Sequence, residues 1–419
     1  MEKNILKQLI LEQQHEVQQI KLVHRHFEFD RNANYVLIGL RRAGKSYLMY
    51  QYIQQLIAQG EAKIEDILYV NFEDDRLVHM QLSDLQLLLD AYAEMFESKP
   101  RLFLDEIQNI PQWEKFARRL ADNHYHVFIT GSNAKMLSSE IYSTLGGRYM
   151  VKEVYPFSFA EYLDYYNVTL SRNWEFSNER FEIRHRFDDY FHFGGLAQVF
   201  DLMSKREWVN SLIQKVLLGD IVARNGIRNP QNIQLLTRKL AESVMQPTTQ
   251  SRLQNIIKST GQNIGRNSIA EYLSWMEAAY LIFGLSNFTD TQSERTNSQK
   301  HYFWDNALLN NYLFDPETKL LENLVAITLR RKYDKDQLFY YNKNIEVDFY
   351  VPTESMAIQV SYSLHELTTF ERELRALVTL SKAFDIKKLL IITMDEERDI
   401  ATEVGMVHVV PIWKWLLKQ

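Results

Sequence analysis

There is no cysteine in the 419 residues. Disulfides, thiol catalysis and cysteine-ligated zinc are therefore excluded, and the absence fits a reducing compartment. Glycine and proline are sparse, at 14 and 8 residues, while hydrophobic residues make up 46% and charged residues 24%. That balance describes a globular chain with ample core, long enough for two to four domains. No apolar run approaches the roughly 20 residues needed to cross a bilayer. The polar stretch 1–19 has no signal-peptide core. A cytoplasmic location without a membrane partner is expected. A basic excess is also missing: net charge is −6 and the isoelectric point is about 6.0. Any nucleic acid must then be met by a local patch rather than by the whole surface.

One stretch organises what is present. Tyr35-Val36-Leu37-Ile38 runs into Gly39-Leu40-Arg41-Arg42-Ala43-Gly44-Lys45-Ser46, then into Tyr47-Leu48-Met49-Tyr50. This reads as strand, loop and helix, and the loop fits G-x-x-x-x-G-K-[ST]. Gly39 and Gly44 let the backbone curl so that successive N–H groups, through Arg42, Ala43 and Tyr47, face one concavity. Those donors and the helix N-terminus suit phosphate oxygens. Lys45 would reach the β- and γ-phosphates of ATP, and Ser46 would place its hydroxyl on Mg2+.

A second strand, read within 66–75, carries Asn71 and Glu73 at its C-terminal end, the end where parallel sheets gather ligands. A third, Arg101-Leu102-Phe103-Leu104-Asp105, ends in Asp105-Glu106. Asp105 would hold Mg2+ through its water shell, and Glu106 would orient or deprotonate the attacking water. A fourth, His126 to Thr130, ends in Gly131-Ser132-Asn133. Thr130, Ser132 or Asn133 either reports on the γ-phosphate or places the lytic water, or merely belongs to a turn closed by Gly131. Alternating strands and helices imply a doubly wound parallel sheet. Ahead of it, residues 1–30 read as an amphipathic helix or two, with Ile5, Leu9, Val17 and Ile20 as core candidates. His24 and His26 are taken as packing or surface residues.

Taken in order, the P-loop, Leu104-Asp105-Glu106-Ile107-Gln108, Thr130-Gly131-Ser132-Asn133-Ala134, Gly146-Gly147-Arg148, Pro156-Phe157-Ser158-Phe159-Ala160-Glu161-Tyr162, Phe193-Gly194-Gly195-Leu196 and Gly219-Asp220-Ile221 carry a resemblance. The chain resembles the prokaryotic AAA-type P-loop ATPases that have a poorly characterised C-terminal domain. The resemblance implies a homo-oligomeric ATP hydrolase with sites at subunit borders. It places Arg148 where an arginine finger would reach a neighbour's γ-phosphate. It places Asn71 where a polar residue restrains the catalytic glutamate. Residues 155–229 would be a helical lid after the ATPase domain 1–154. Arg224 and Arg228 there read as structural sooner than as a second sensor.

From Gln231 the pattern reads helix, helix, turn, helix, strand, the order of a winged helix over 230–300. Ser251 and Ser268 look like capping-box starts of its second and third helices. Gln262, Asn263, Arg266 and Asn267 would stand at the start of a recognition helix, so DNA is the expected partner; protein interaction is the alternative. Residues 291–301 read as a polar loop. Residues 301–419 read as a second α/β domain. Glu322 on a helix and Asp348 on a strand resemble the PD-(D/E)xK restriction-endonuclease-like core. Where that core needs a carboxylate and a lysine, Gln359-Val360-Ser361 stands instead. A degenerate domain used for binding or assembly is expected, with metal-dependent nuclease activity the lesser alternative.

Overall fold

Five short runs become the strands of one sheet: β1 (Asn34–Ile38), β2 (Ile67–Asn71), β3 (Arg101–Asp105), β4 (Val127–Gly131) and β5 (Tyr149–Glu153). The computed structural model describes residues 2–132, 139–262 and 264–418. Asn133 and Asn263 therefore lie outside the described residues. The strands lie in the order β2-β3-β4-β1-β5, all parallel. The runs of β1 to β4, the edge strand β2 included, are apolar because helices cover a parallel sheet on both faces. β5 sits at the edge, and its pattern mixes exposed Met150 and Lys152 with buried Tyr149.

Contacts divide the chain into two units, Met1–Tyr155 and Pro156–Gln419. The core of the first is aromatic. Phe128 is ringed by Phe29, Tyr35, Tyr52 and Phe103 at centroid distances of 4.9–5.4 Å. Its first helix runs Lys3–Gln19, and Leu6, Leu9, Ile10 and Val17 are its buried apolar residues. Ile5 is exposed, one position off the face that packs. The helix Lys45–Ala58 springs directly from the P-loop, with Gly44 at its start in left-handed conformation (φ 98°).

The second unit begins with the helices Phe159–Tyr165, Glu179–Phe193 and Lys205–Gln214, the last continuing as a π-helix through Lys215–Ala223. Ser158 caps the first of these by a capping box: its Oγ accepts from the Glu161 N–H (3.2 Å), while the Glu161 carboxylate accepts from the Ser158 N–H (2.8 Å). The Phe157 N–H donates to the Gly195 carbonyl at 2.7 Å, and the Gly195 N–H donates to Asp305 at 2.8 Å. The Pro-Phe-Ser and Phe-Gly-Gly motifs are thus two sides of one tie.

Helices Pro230–Glu242, Gln250–Ser259 and Arg266–Ala278 follow, with β6 (Thr248–Thr249), β7 (Ile282–Leu285) and β8 (Ser298–Phe303) pairing in the order β6-β8-β7. Three expectations are corrected here. Thr249, not Ser251, caps its helix, accepting from the Arg252 N–H at 3.1 Å. The next helix begins at Arg266 after Gly265, so Ser268 lies inside it. Residues 298–301 belong to β8, whose buried half reaches Phe303.

The remaining strands are β9 (Phe339–Asn342), β10 (Glu346–Val351), β11 (Met356–Val360), β12 (Lys388–Thr393), β13 (Arg398–Thr402) and β14 (Gly405–Pro411), ordered β13-β14-β12-β11-β10-β9. The pairs β11-β12 and β12-β14 are parallel and the others antiparallel. Helix Glu317–Lys332 precedes this sheet, and Leu367–Phe384 lies within it in sequence. Glu366, not Ser363, is the residue before the latter helix. Among the described residues no helix is long and apolar enough to cross a membrane.

Candidate nucleotide site

The loop after β1 can only be built with glycine at its first position. A Cβ on Gly39, whose φ is 148°, would stand 2.1 Å from the Val154 carbonyl oxygen. That oxygen is fixed because the Val154 N–H closes the β1-β5 ladder on Ile38 at 2.7 Å. Lys45 is buried, and its Nζ donates to the carbonyls of Gly39 (3.2 Å) and Leu40 (3.0 Å). The ammonium lies across the mouth of its own loop. Arg41 pairs with Glu73 at 3.0 Å, while Arg42 has a positive φ of 66° that turns the loop.

Asp105 stands at the end of β3 with its carboxylate fully engaged. Tyr69 donates its hydroxyl to Oδ2 at 2.7 Å, and Thr130 donates to Oδ1. The Ser46 hydroxyl is a third hydrogen-bond partner. Burial, then the neighbouring Glu106, pushes this carboxyl above the usual range. Burial and Asp105 also push the Tyr69 phenol far up, so it remains a donor. Glu106 leaves the strand in left-handed conformation, φ 54°. Its N–H donates to Thr130 Oγ1 at 2.8 Å. Thr130 therefore ties both acidic residues to the end of β4. Gln108 donates its amide to the Glu106 carboxylate.

The expected site residues are distributed as follows. Gly39, Arg42, Ala43, Gly44, Lys45, Ser46 and Tyr47 form the loop and helix start. Asp105, Glu106 and Thr130 are joined by the hydrogen bonds above. Ser132 follows β4, and its buried Oγ has no partner among the described residues; neither has the buried Oε1 of Gln108. Asn71 pairs in register with Asp105, yet its side chain accepts from the Glu73 N–H at 2.9 Å and closes the turn after β2. The hydrogen bond that restrains Glu106 comes from Gln108. Arg148 is held within its own chain by Asp122 at 2.5 Å.

Three contributors carry little sequence signal. Gln108 lies two residues after the acidic pair, where a helical turn can fold it back. Tyr69 is a hydroxyl-bearing aromatic in a strand that reads as ordinary core. Arg25 comes from the segment before β1; its buried guanidinium donates to the carbonyls of Ala43 (3.1 Å) and Tyr155 (3.0 Å), bringing a cation against the P-loop.

This donor set fits Mg2+ and a triphosphate. Two buried acidic residues lie side by side at the end of β3, the Ser46 hydroxyl and the Lys45 ammonium come from the adjoining loop, and two buried polar atoms have no hydrogen-bond partner among the described residues, where a ligand or a water would meet them.

A family model described as "AAA domain" matches residues 31–163, and a "Domain of unknown function (DUF8612)" matches residues 184–319. The uncharacterized protein MJ1544 of Methanocaldococcus jannaschii is 32% identical over 99% of this chain and 96% of its own length. An uncharacterized protein of Haemophilus influenzae is 29% identical over 91% of this chain and 94% of its own. Among solved structures, the Walker-type ATPase PABY2304 of Pyrococcus abyssi has a TM-score of 0.40 at 13% identity, covering 71% of this chain and 99% of that one. The ORC1 protein of Aeropyrum pernix in complex with DNA has a TM-score of 0.28 at 14% identity, covering 75% and 91%. Likenesses this weak place neither a site nor a ligand.

Proposed function

Because the chain belongs to the family of the uncharacterized protein MJ1544 and carries an AAA domain over residues 31–163, we propose that it is an AAA-type ATPase, acting as a homo-oligomer and coupling hydrolysis to DNA. The observation that carries hydrolysis, beyond nucleotide binding, is the Thr130 tie. It holds Asp105 for a metal and Glu106 for a water at fixed spacing, and Gln108 orients the Glu106 carboxylate.

The loop amides and Lys45 hold the β- and γ-phosphates, which requires Nζ to leave the Gly39 and Leu40 carbonyls. Ser46 and Asp105 would hold Mg2+, which when bound would supply positive charge to the phosphate oxygens. Glu106 accepts a proton from the attacking water. The water oxygen forms a bond to the γ-phosphorus, the bond from that phosphorus to the β,γ-bridging oxygen breaks, and ADP and phosphate leave. Ser132 and Gln108 supply polar atoms that the lytic water or the γ-phosphate can satisfy. Arg148 acts in trans after exchanging Asp122 for a neighbour's phosphate, which makes turnover depend on protein concentration. Asn71 acts on the turn that leads to Glu73 and Arg41 and so reaches Glu106 only indirectly.

The DNA assignment rests on the second unit. Helix, short strand, helix, helix and two strands paired as β6-β8-β7 support the winged-helix reading. Arg252, Lys258, Arg266 and Asn267 are exposed on its second and third helices. In a gel-shift assay at 50 and 200 mM salt, duplex DNA should bind, and the complex should weaken by about tenfold or more across that range, as expected when a few phosphates are neutralised. Arg266→Ala with Asn267→Ala should weaken it further. Binding that is absent, or indifferent to salt, would remove DNA and leave a nucleotide-dependent protein-interaction switch. The nuclease reading finds little support, for the reason that follows.

A further inference from the structure

Lys300 lies on β8, in the stretch that reads from sequence as a polar loop, yet its side chain is 0% exposed. Three carboxylates converge on its Nζ: Glu346 at 3.0 Å, Asp348 at 3.3 Å and Glu322 at 3.5 Å. They come from separate elements, Glu322 from the helix Glu317–Lys332 and the other two from β10. The acids that resemble a nuclease core are thus brought together, and a cation already stands between them.

The surroundings leave little coordination free. Asp348 gives Oδ1 to Lys300 and Oδ2 to the Val360 N–H at 2.9 Å. Gln359 cannot serve as a metal ligand as placed. Its Oε1 accepts from the Asp348 N–H (2.8 Å), and its Nε2 donates to Glu373 (2.7 Å) and to the Glu346 carbonyl (3.1 Å). Tyr302 donates to Glu322 Oε1 at 2.7 Å, and the buried Oε2 of Glu322 has no partner among the described residues. One ammonium faces three carboxylates, so negative charge remains in excess. Burial pushes Glu322 up to about 7 although Lys300 opposes the shift. Burial lowers Lys300, but Glu322, Asp348 and Glu346 outweigh it and hold it above the ordinary range. Among the described residues no group of three or more histidine, aspartate and glutamate side chains is arranged to hold a metal ion.

We propose that Lys300 is a built-in cation: its ammonium occupies the point where Glu322, Glu346 and Asp348 converge, keeps divalent metal out, and removing it opens that point to Mn2+. The oxygens stand 3.0–3.5 Å from Nζ, a hydrogen-bonding radius. A small divalent ion needs oxygens at roughly 2.0–2.2 Å. Contraction by about 1 Å is within reach of Glu346, whose side chain is 47% exposed and can swing. The cluster serves meanwhile as an ionic pin between β8, the helix of Glu322 and β10.

The test is Mn2+ binding by electron paramagnetic resonance on the full chain without nucleotide. Asp348→Asn should not change wild-type binding. Lys300→Ala should take up one more Mn2+ per chain, lost on adding Asp348→Asn. Wild-type binding that falls with Asp348→Asn would overturn the proposal, as would a folded Lys300→Ala that binds no more than wild type. Should Lys300→Ala be poorly folded, Mn2+ at millimolar concentration should raise its thermal midpoint but not that of wild type. No rise would equally overturn it.

Discussion

Glu106→Gln should keep Mg2+-ATP bound while turnover falls by about 10²–10⁴-fold, the span expected when a positioned proton acceptor is lost. The substitution preserves the shape of the residue and the left-handed turn at φ 54°. It also preserves the N–H that donates to Thr130. What it removes is the charge that accepts the proton. The contacts proposed for Lys45 and Ser46 to phosphate and metal are untouched, so nucleotide affinity should stay within a few-fold. The check is paired: nucleotide binding by fluorescence titration and turnover by phosphate release. Equal turnover in both proteins would move the base elsewhere. Loss of binding would mean that Glu106 supports the loop and does not act on water.

The second large effect concerns acid stability. His301 on β8 is fully buried, its Nδ1 lying 3.3 Å from the Thr248 hydroxyl. Burial, then Lys335, pushes its pKa down to about 4 from the ordinary 6.5. The unfolded chain therefore takes up a proton near pH 6.5 that the folded chain refuses until about 4. The stability this group supplies is complete above pH 6.5 and is lost as pH falls toward 4, by about 3 kcal/mol in total. Asp305 works the other way. Burial raises it from 3.8 to about 6 against the opposing Gly195 and Ala307 N–H bonds, so its contribution is complete below pH 3.8 and is lost as pH rises through 6. The two offset each other in wild type, so the comparison of variants isolates the histidine. Relative to its own stability at pH 7, His301→Gln should be about 3 kcal/mol more resistant at pH 4 than wild type is. Urea melts followed by tryptophan fluorescence report on the right unit, since six of the seven tryptophans lie beyond residue 156. Parallel pH profiles would show that the imidazole is not the resisting group.

What was legible in the sequence follows physical locality. The P-loop reads directly because glycine spacing, lysine and helix start are neighbours in the chain. Asp105 and Glu106 read because a buried strand ends on them. The register that brings Tyr69 and Thr130 onto Asp105 is tertiary, and nothing local announces it. Asn71 reads as the partner of Glu106 from its place at a strand end. Its amide closes the turn to Glu73 instead, and Gln108, closer in sequence, holds the carboxylate. The cap at Thr249 is hidden in the sequence because Ser251 offers the same chemistry two residues later; the short strand Thr248–Thr249 decides between them. Lys300 was the least legible residue. A lysine among polar residues reads as solvent-exposed, and the carboxylates that draw it inward stand 22 to 48 residues further on.

The motifs Pro156-Phe157-Ser158 and Phe193-Gly194-Gly195 have a structural explanation. They form a capping box and a backbone tie to Asp305, so the resemblance they carry concerns how the second unit is held, and the proposed chemistry belongs to the first. That separation is why Glu106, rather than any residue of the second unit, is the decisive probe of the reaction.

The most direct test of the proposed activity is steady-state ATP turnover by the full chain, with and without Mg2+, in the absence and presence of duplex DNA, beside Glu106→Gln. Turnover that needs Mg2+, rises with protein concentration and with DNA, and falls to background in the variant is the expected result. Folded protein that binds ATP but shows no Mg2+-dependent turnover above the Glu106→Gln background would contradict it.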